Sequence, residues 1–204
     1  MKNKVSKMVI QKNNGITECY VLNKDYVKLE KKYNNLLASI EDQKSEKKLN
    51  LYDIVNYCNH EWYVIKVENN EVTLMSKDII GTCTYSDNNS NDFTESNCLK
   101  ILNNFIDNLR LSDLIIMDTN YDEDKQINSL IRIPTLREIE AMPMDVRKCN
   151  DAYWTMTASY GVSEDCTSAR VFYVNATGYL NSTNVDSAIG VRPVIKINKE
   201  RIGE

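Results

Sequence analysis

Apolar positions follow one rhythm in the first quarter of this chain and other rhythms beyond it. Val5, Met8, Val9 and Ile10 stand before Asn13-Asn14-Gly15, and Ile16 to Val21 stand after it. Two stretches rich in β-formers around a turn signal that favours positive φ predict a hairpin over residues 1–22. Asn23 is placed to cap a following helix. Leu22, Tyr26, Leu29, Tyr33, Leu36 and Ile40 then recur at alternating spacings of four and three, the a/d rhythm of a coiled coil. Residues 23–48 read as that helix, fraying into the charged linker run 41–48. So short a seam leaves two arrangements open: association between copies, or a helix lying on its own domain.

From residue 49 the pattern is that of a mixed globular domain, with its core elements beginning near Leu51. Residues 61–67, containing Trp62, alternate and are rich in β-formers, Asn69-Asn70 marks a turn, and 71–75 return, so a second hairpin is expected over 61–76. The Ser/Asn/Asp-rich stretch 85–92 reads as a surface loop. Leu99, Leu102, Ile106 and Leu109 give a helical stripe, with Thr94 to Ser96 supplying its start. Residues 112–117 read as either a strand or a second helix. The acidic run Asp122-Glu123-Asp124 lies in an expected loop, and it lacks the alternating ligand pattern of a calcium site.

Pro134-Thr135-Leu136-Arg137-Glu138 is a helix-start signal: Thr135 can cap Glu138 while the Glu138 side chain reaches back. Pro143 should end the short helix. Trp154, flanked by strand-forming Thr155 and Thr157, is expected as a core anchor. In residues 169–175, Arg170, Phe172 and Val174 should face one way and Val171, Tyr173 and Asn175 the other. Gly178 fits a turn needing positive φ. Arg192, beside Pro193, is expected to bridge several carbonyls in a buried network.

Apolar residues make up 42% and charged residues 26% of the 204, enough for a core. The net charge of -4 argues against nucleic acid as a partner, since phosphate binding needs a basic face. No run approaches the roughly 20 apolar residues of a spanning helix, so membrane insertion is not expected. The basic start leads into no apolar stretch, so no secretory signal is expected either. Six cysteines, Cys19, Cys58, Cys83, Cys98, Cys149 and Cys166, form no C-x-x-C pair and read as free thiols made in a reducing cytoplasm. His60 is the sole histidine, and no spacing around it offers a zinc set.

Several pieces stand in a fixed order: the Trp62 hairpin, a helix at Ser96 to Asn103, Pro134-Thr135 with Glu138, Tyr153-Trp154, the strand at Ala169 to Val174, Gly178, and Gly190-Val191-Arg192-Pro193. This order resembles the C-type lectin-like fold. The resemblance is to the branch holding formylglycine-generating enzymes, the variable proteins of diversity-generating retroelements, and phage and bacterial surface domains of unassigned function. It covers roughly residues 51–197. It implies an α+β fold, a C-type lectin-like head over 49–204 with short antiparallel strands and two or more helices, preceded by the hairpin and the coiled-coil-like helix.

The enzymatic branch of that resemblance works through a copper-binding cysteine pair. Cys149 and Cys166 are the thiols near the relevant region and do not reproduce it. The Glu-Pro-Asn or Gln-Pro-Asp and Trp-Asn-Asp combinations of calcium-dependent lectins are missing, as are a Gly-flanked nucleophile and a phosphate loop. The expectation is therefore a non-enzymatic protein with no cofactor and no metal. Resemblance and heptad spacing together imply a phage virion component: a head fibre, decoration protein or tail-associated adhesin. Its partners would be itself as a homo-oligomer, a trimer by analogy with phage fibres, other virion proteins through the N-terminal segment, and a host-surface glycan or protein. It would reside in the virion after synthesis in the host cytoplasm. A metal-dependent enzyme relative, and a bacterial interaction module on the same fold, cytoplasmic or at the cell surface, remain as alternatives. The candidate ligand-binding face comprises Tyr160, Asp165, Arg170, Tyr173, Asn175, Tyr179, Asn181, Asn184 and Asp186, since Tyr gives rigid contact area and Asn adaptable hydrogen bonding. The stretch 181–184 reads equally as an ordinary solvated loop.

Overall fold

Two units divide the chain, Met1–Lys48 and Leu49–Glu204. The structure, a computed structural model, describes residues 5–12, 15–43, 49–160 and 168–203, and side chains for 27–37, 49–160 and 168–203. The expected Asn13-Asn14 turn, linker residues 44–48, Asp165 and Cys166 lie outside the described residues. In the first unit β1 (Val5–Lys12) pairs antiparallel with β2 (Gly15–Leu22), Val5 opposite Leu22. Helix α1 follows over Asn23–Gln43. Leu22 thus ends a strand, and Tyr26, Leu29, Tyr33, Leu36 and Ile40 are the seam positions that α1 carries.

The second unit is α+β. Its elements are β3 (Ile54–Tyr57), β4 (His60–Glu68), β5 (Glu71–Ser76), β6 (Gly81–Thr84), α2 (Cys98–Ile106), β7 (Met117–Asp122), β8 (Lys125–Ser129) and β9 (Ile131–Arg132). Then come α3 (Leu136–Ala141), α4 (Met144–Arg147), β10 (Tyr153–Ser159), β11 (Arg170–Val174), β12 (Leu180–Asn184), β13 (Ala188–Val191) and β14 (Val194–Asn198). One five-stranded sheet runs β3-β4-β5-β14-β9 and another runs β12-β11-β10-β13-β6, with β7-β8 as a separate ribbon. Pairing is antiparallel except between β10 and β13. Among the described residues no helix is long and apolar enough to cross a membrane.

Strand alternation feeds two cores at once. Leu74, Trp154 and Ile195 point into the larger one with Trp62, Tyr85 and Leu102, while their chain neighbours Met75, Tyr153 and Val194 point into the smaller one with Ile139 and Val146. Central β5 is buried on both faces from Val72 to Ser76, so polar Thr73 and Ser76 are enclosed along with Val72, Leu74 and Met75. Trp154 is fully buried, gives its indole N–H to Cys83 O at 3.1 Å and meets Tyr85 edge-on at 5.3 Å.

Three expectations are corrected. The loop expected over 121–126 narrows to a turn at Glu123-Asp124, because Asp122 ends β7 and Lys125 begins β8, with Met117, Thr119 and Tyr121 buried alternately with exposed Asp118 and Asn120. Residues 111–113 form a 3-10 turn and the chain then extends through Leu114 into β7. Helix α2 starts later than Thr94: Asp92 caps a separate 3-10 turn at Phe93–Glu95, and Leu109 lies beyond the helix end, with Cys98, Leu102 and Phe105 making the buried face.

The capping box at α3 is present as its residues predict, with Thr135 Oγ1 accepting from Glu138 N at 3.2 Å and Thr135 N donating to Glu138 Oε2 at 2.9 Å. Arg132 adds a bidentate pair to the same carboxylate, 2.7 and 2.6 Å, from a side chain only 5% exposed. Burial opposes the Glu138 charge, but the Arg132 guanidinium and the Thr135 amide and hydroxyl outweigh it and hold the carboxyl below its ordinary value.

Trp154→Ala should cost roughly 3–5 kcal/mol in urea unfolding, the range for emptying a buried indole site. A loss below about 1 kcal/mol is the behaviour of a surface residue and would remove Trp154 from the core. Glu138→Gln leaves buried Arg132 without its anion and should cost about 3 kcal/mol near neutral pH. Because the folded carboxyl titrates below its ordinary value of 4.5, its contribution is present above that pH and is lost as pH falls through the folded value. The gap between wild type and Glu138→Gln should therefore close on acidification. A gap that stays constant with pH would mean that Glu138 is held as the neutral acid.

Candidate ligand-binding face

The edge of one sheet is built by β11 and β12, with Arg170 opposite Asn184, Phe172 opposite Ser182 and Tyr173 opposite Asn181. Arg170 spans that pairing: Nη1 donates to Asn184 Oδ1 at 3.1 Å and Nη2 to Ser182 O at 2.6 Å. Tyr173 points to the other side, half-buried, its ring edge-on to Trp154 at 6.5 Å. Arg170 and Tyr173 therefore sit on opposite faces of one strand, as alternation requires. They do not share a single surface.

The turn between the two strands is organised by Asn175. Its Oδ1 accepts from Thr177 N at 3.1 Å, Thr177 Oγ1 at 2.8 Å and Tyr179 N at 2.9 Å. Gly178 adopts φ 91, and a Cβ there would lie 2.6 Å from Met144 Sδ, so this turn is pressed onto α4 and accepts no side chain. Asn175 is thus a turn-builder. Tyr179, 62% exposed, is the aromatic that the turn presents. Asn181 is exposed on β12, and Asp186 is exposed in the turn before β13. Asn184, half-buried, is occupied by Arg170.

Tyr160 departs in another direction. It is 71% exposed at the end of β10, and its hydroxyl donates to Asp122 Oδ2 at 2.6 Å. That hydrogen bond to a carboxylate, with some burial and neighbouring acidic charge, pushes the phenol up to about 12. Asp122 in turn lines an open groove of about 640 Å³ with Glu123, Asp124, Arg137, Glu140 and Thr157. Thr157 fixes its floor, donating to Tyr121 O at 3.0 Å and accepting from Leu136 N at 3.0 Å, so β7, β10 and α3 hold one another there. Beside it Asp92 collects Thr94, Tyr121 and Lys125; burial works against its charge, yet these partners hold its carboxyl well below the ordinary value.

This groove was invisible in the expected loop, although the buried alternation Met117, Thr119, Tyr121 is the signal that shows a strand. A second groove of about 750 Å³ includes Cys58, His60, Asp78 and Phe105, with the His60 ring 5.0 Å from Phe105. Among the described residues no group of three or more His, Cys, Asp or Glu is arranged to hold a metal ion. The described thiols at Cys58, Cys83, Cys98 and Cys149 are free.

Of the nine candidate residues, then, Tyr179 and Asn181 are exposed around the Gly178 turn and Asp186 in the next one. Arg170 and Asn184 bind one another, Asn175 builds the turn, Tyr173 packs inward, Tyr160 borders the acidic groove, and Asp165 lies outside the described residues. No protein-family model, curated protein or solved structure matches the chain.

Proposed function

We propose that this chain is a non-enzymatic display and adhesion protein of a phage virion, a head fibre, decoration protein or tail-associated adhesin. The second unit is read as a C-type lectin-like head that offers Tyr179, Asn181 and Asp186 to a glycan or protein of the host surface. The first unit attaches to other virion proteins through its β1–β2 strand pair and to further copies of itself through α1.

The observation that carries this reading is the apolar stripe of α1. Leu29, Tyr33 and Leu36 are 47%, 58% and 60% exposed, at the four-three spacing of a coiled-coil seam. Leaving Leu and Tyr in water at each turn is unfavourable, and a second and third copy of the same stripe would remove them from it. Tyr26 and Tyr33 occupy equivalent a positions; their bulk fits a wider three-helix seam better than a tight dimer and lets the hydroxyls reach water. So short a seam buries little, which suits an assembly held by the particle as well as by the helix.

Sedimentation of the full chain at micromolar concentration should give a trimer, and Leu29→Asp with Leu36→Asp should give a monomer. If both sediment as monomers, α1 is not an association seam. Antibody raised to the head should label the outside of intact particles under the electron microscope. Particles left bare, or stoichiometric copper or calcium in the purified protein, would replace this reading with a bacterial interaction module or with a metal-dependent enzyme or lectin.

A further inference from the structure

Cysteines scattered through the sequence are brought together at one place: Cys83 Sγ and Cys98 Sγ lie 3.8 Å apart. Cys98, the first residue of α2, is fully buried, whereas Cys83 is half-buried on β6, an edge strand. The elements beneath them are closely apposed. A Cβ on Gly81, two residues before Cys83 on β6, would lie 3.1 Å from Ile101 Cγ2, and Ile101 is one turn past Cys98 on α2. Both thiols are free. A disulfide needs sulfurs about 2 Å apart, so closure asks for side-chain rotation over a distance of roughly 2 Å.

We propose that Cys83 and Cys98 form a redox-active dithiol that closes to a disulfide by exchange with a small-molecule disulfide. The thiolate of half-buried Cys83 attacks one sulfur of the incoming disulfide, forming a mixed disulfide and releasing one small thiolate. Cys98 passes its proton to that thiolate and attacks Cys83 Sγ, forming the protein disulfide and releasing the second small thiolate, which takes up the proton that Cys83 lost on ionising. Two protein thiols are oxidised and the small disulfide is reduced to two thiols. Burial sets the order, because Cys98 is shut in and Cys83 is reachable. Hydrogen bonding from Cys98 holds the Cys83 thiol below its ordinary value against the effect of burial, and the same pairing together with burial pushes Cys98 well up. Closure would tie the start of α2 to β6 when the protein leaves a reducing compartment for an oxidising one. The inference stands on the head alone and is independent of what the head binds.

The test equilibrates the full-length reduced protein with glutathione and glutathione disulfide, alkylates remaining thiols and digests with trypsin. A single tryptic peptide, 78–100, contains both cysteines and no other. It should lose the mass of two hydrogens and resist alkylation, and the oxidised protein should melt at a higher temperature than the reduced one. Cys98→Ala should trap glutathione on Cys83, while Cys83→Ser should leave Cys98 unmodified. Recovery of peptide 78–100 with both cysteines alkylated under excess glutathione disulfide would overturn the proposal, as would glutathione found on Cys98 in Cys83→Ser. Should Cys98→Ala fail to fold, the mass of the wild-type peptide decides.

Discussion

A buried guanidinium governs the second unit. Arg192 is fully buried between β13 and β14, where Nε donates to Ser76 O at 2.6 Å and Nη1 to Val146 O at 3.1 Å and Arg147 O at 3.3 Å. Its charged carbon lies 4.9 Å from the Tyr153 ring centre and 5.6 Å from that of Tyr63. Taking such a cation out of water costs several kcal/mol, which carbonyl dipoles and ring faces offset only while they stay in place. Nη2 is buried with no hydrogen-bond partner among the described residues, so the offset is incomplete and the geometry correspondingly exacting. The end of β5, the last turn of α4 and the inner faces of β4 and β10 are all set by one side chain.

The neighbouring residues show why that side chain stands where it does. The chain leaves one sheet in β13 and enters the other in β14, and Arg192-Pro193 is the crossing. Ser76 is gripped from both sides: its carbonyl accepts from Arg192, and its amide donates to Pro193 O at 2.8 Å. Pro193 has no amide hydrogen to leave unpaired at this buried crossing. Just before it, a Cβ on Gly190 would lie 2.6 Å from Ile79 Cδ1 and 2.7 Å from Ala152 O, so the backbones approach to a distance that only glycine allows. Arg147 extends the clamp, its Nε donating to Met142 O at 2.7 Å and its Nη2 to Glu140 O at 2.8 Å, so α3, α4 and the sheet crossing form one connected set.

Features governed by a residue's own chemistry were legible in the sequence. The Thr135–Glu138 box is local hydrogen bonding, Gly178 is a local φ, the hairpin of β4 and β5 is local alternation, and the roles of Trp154 and Arg192 follow from size and donor number. What was hidden depends on partners far along the chain. β12 reads as loop because Asn181, Ser182, Thr183 and Asn184 carry no apolar signal; it is a strand through its backbone pairing with β11, and an edge position tolerates polar side chains. Short β3 and β6 are likewise strands because β4 and β13 pair with them. Residue type alone defines the candidate face within 160–186, and a strand sends its successive residues to both of its sides. The meeting of Cys83 and Cys98 needs the fold of β6 against α2, which no spacing rule contains.

The placement of the exposed residues follows from the same division. Tyr179 stands in a turn and Asn181 on the strand that leaves it; the inner side of that turn is fixed three times over, by the Asn175 side chain, by Gly178 against Met144, and by the pairing of Leu180 with Val174. None of those contacts uses the Tyr179 ring or is made by the outward side of β12. Met144 opens α4, and the Val146 and Arg147 carbonyls of that helix are the ones that Arg192 holds. The turn is therefore anchored, through a single short helix, to the carbonyls that Arg192 holds. The backbone beneath the Tyr179 and Asn181 side chains is ordered by its own contacts, so no ordering of that backbone would be left for a binding event to supply. Its outward side chains, meanwhile, can change without disturbing the clamp. Exposed Tyr179 and Asn181 thus stand on backbone that other contacts already hold in place.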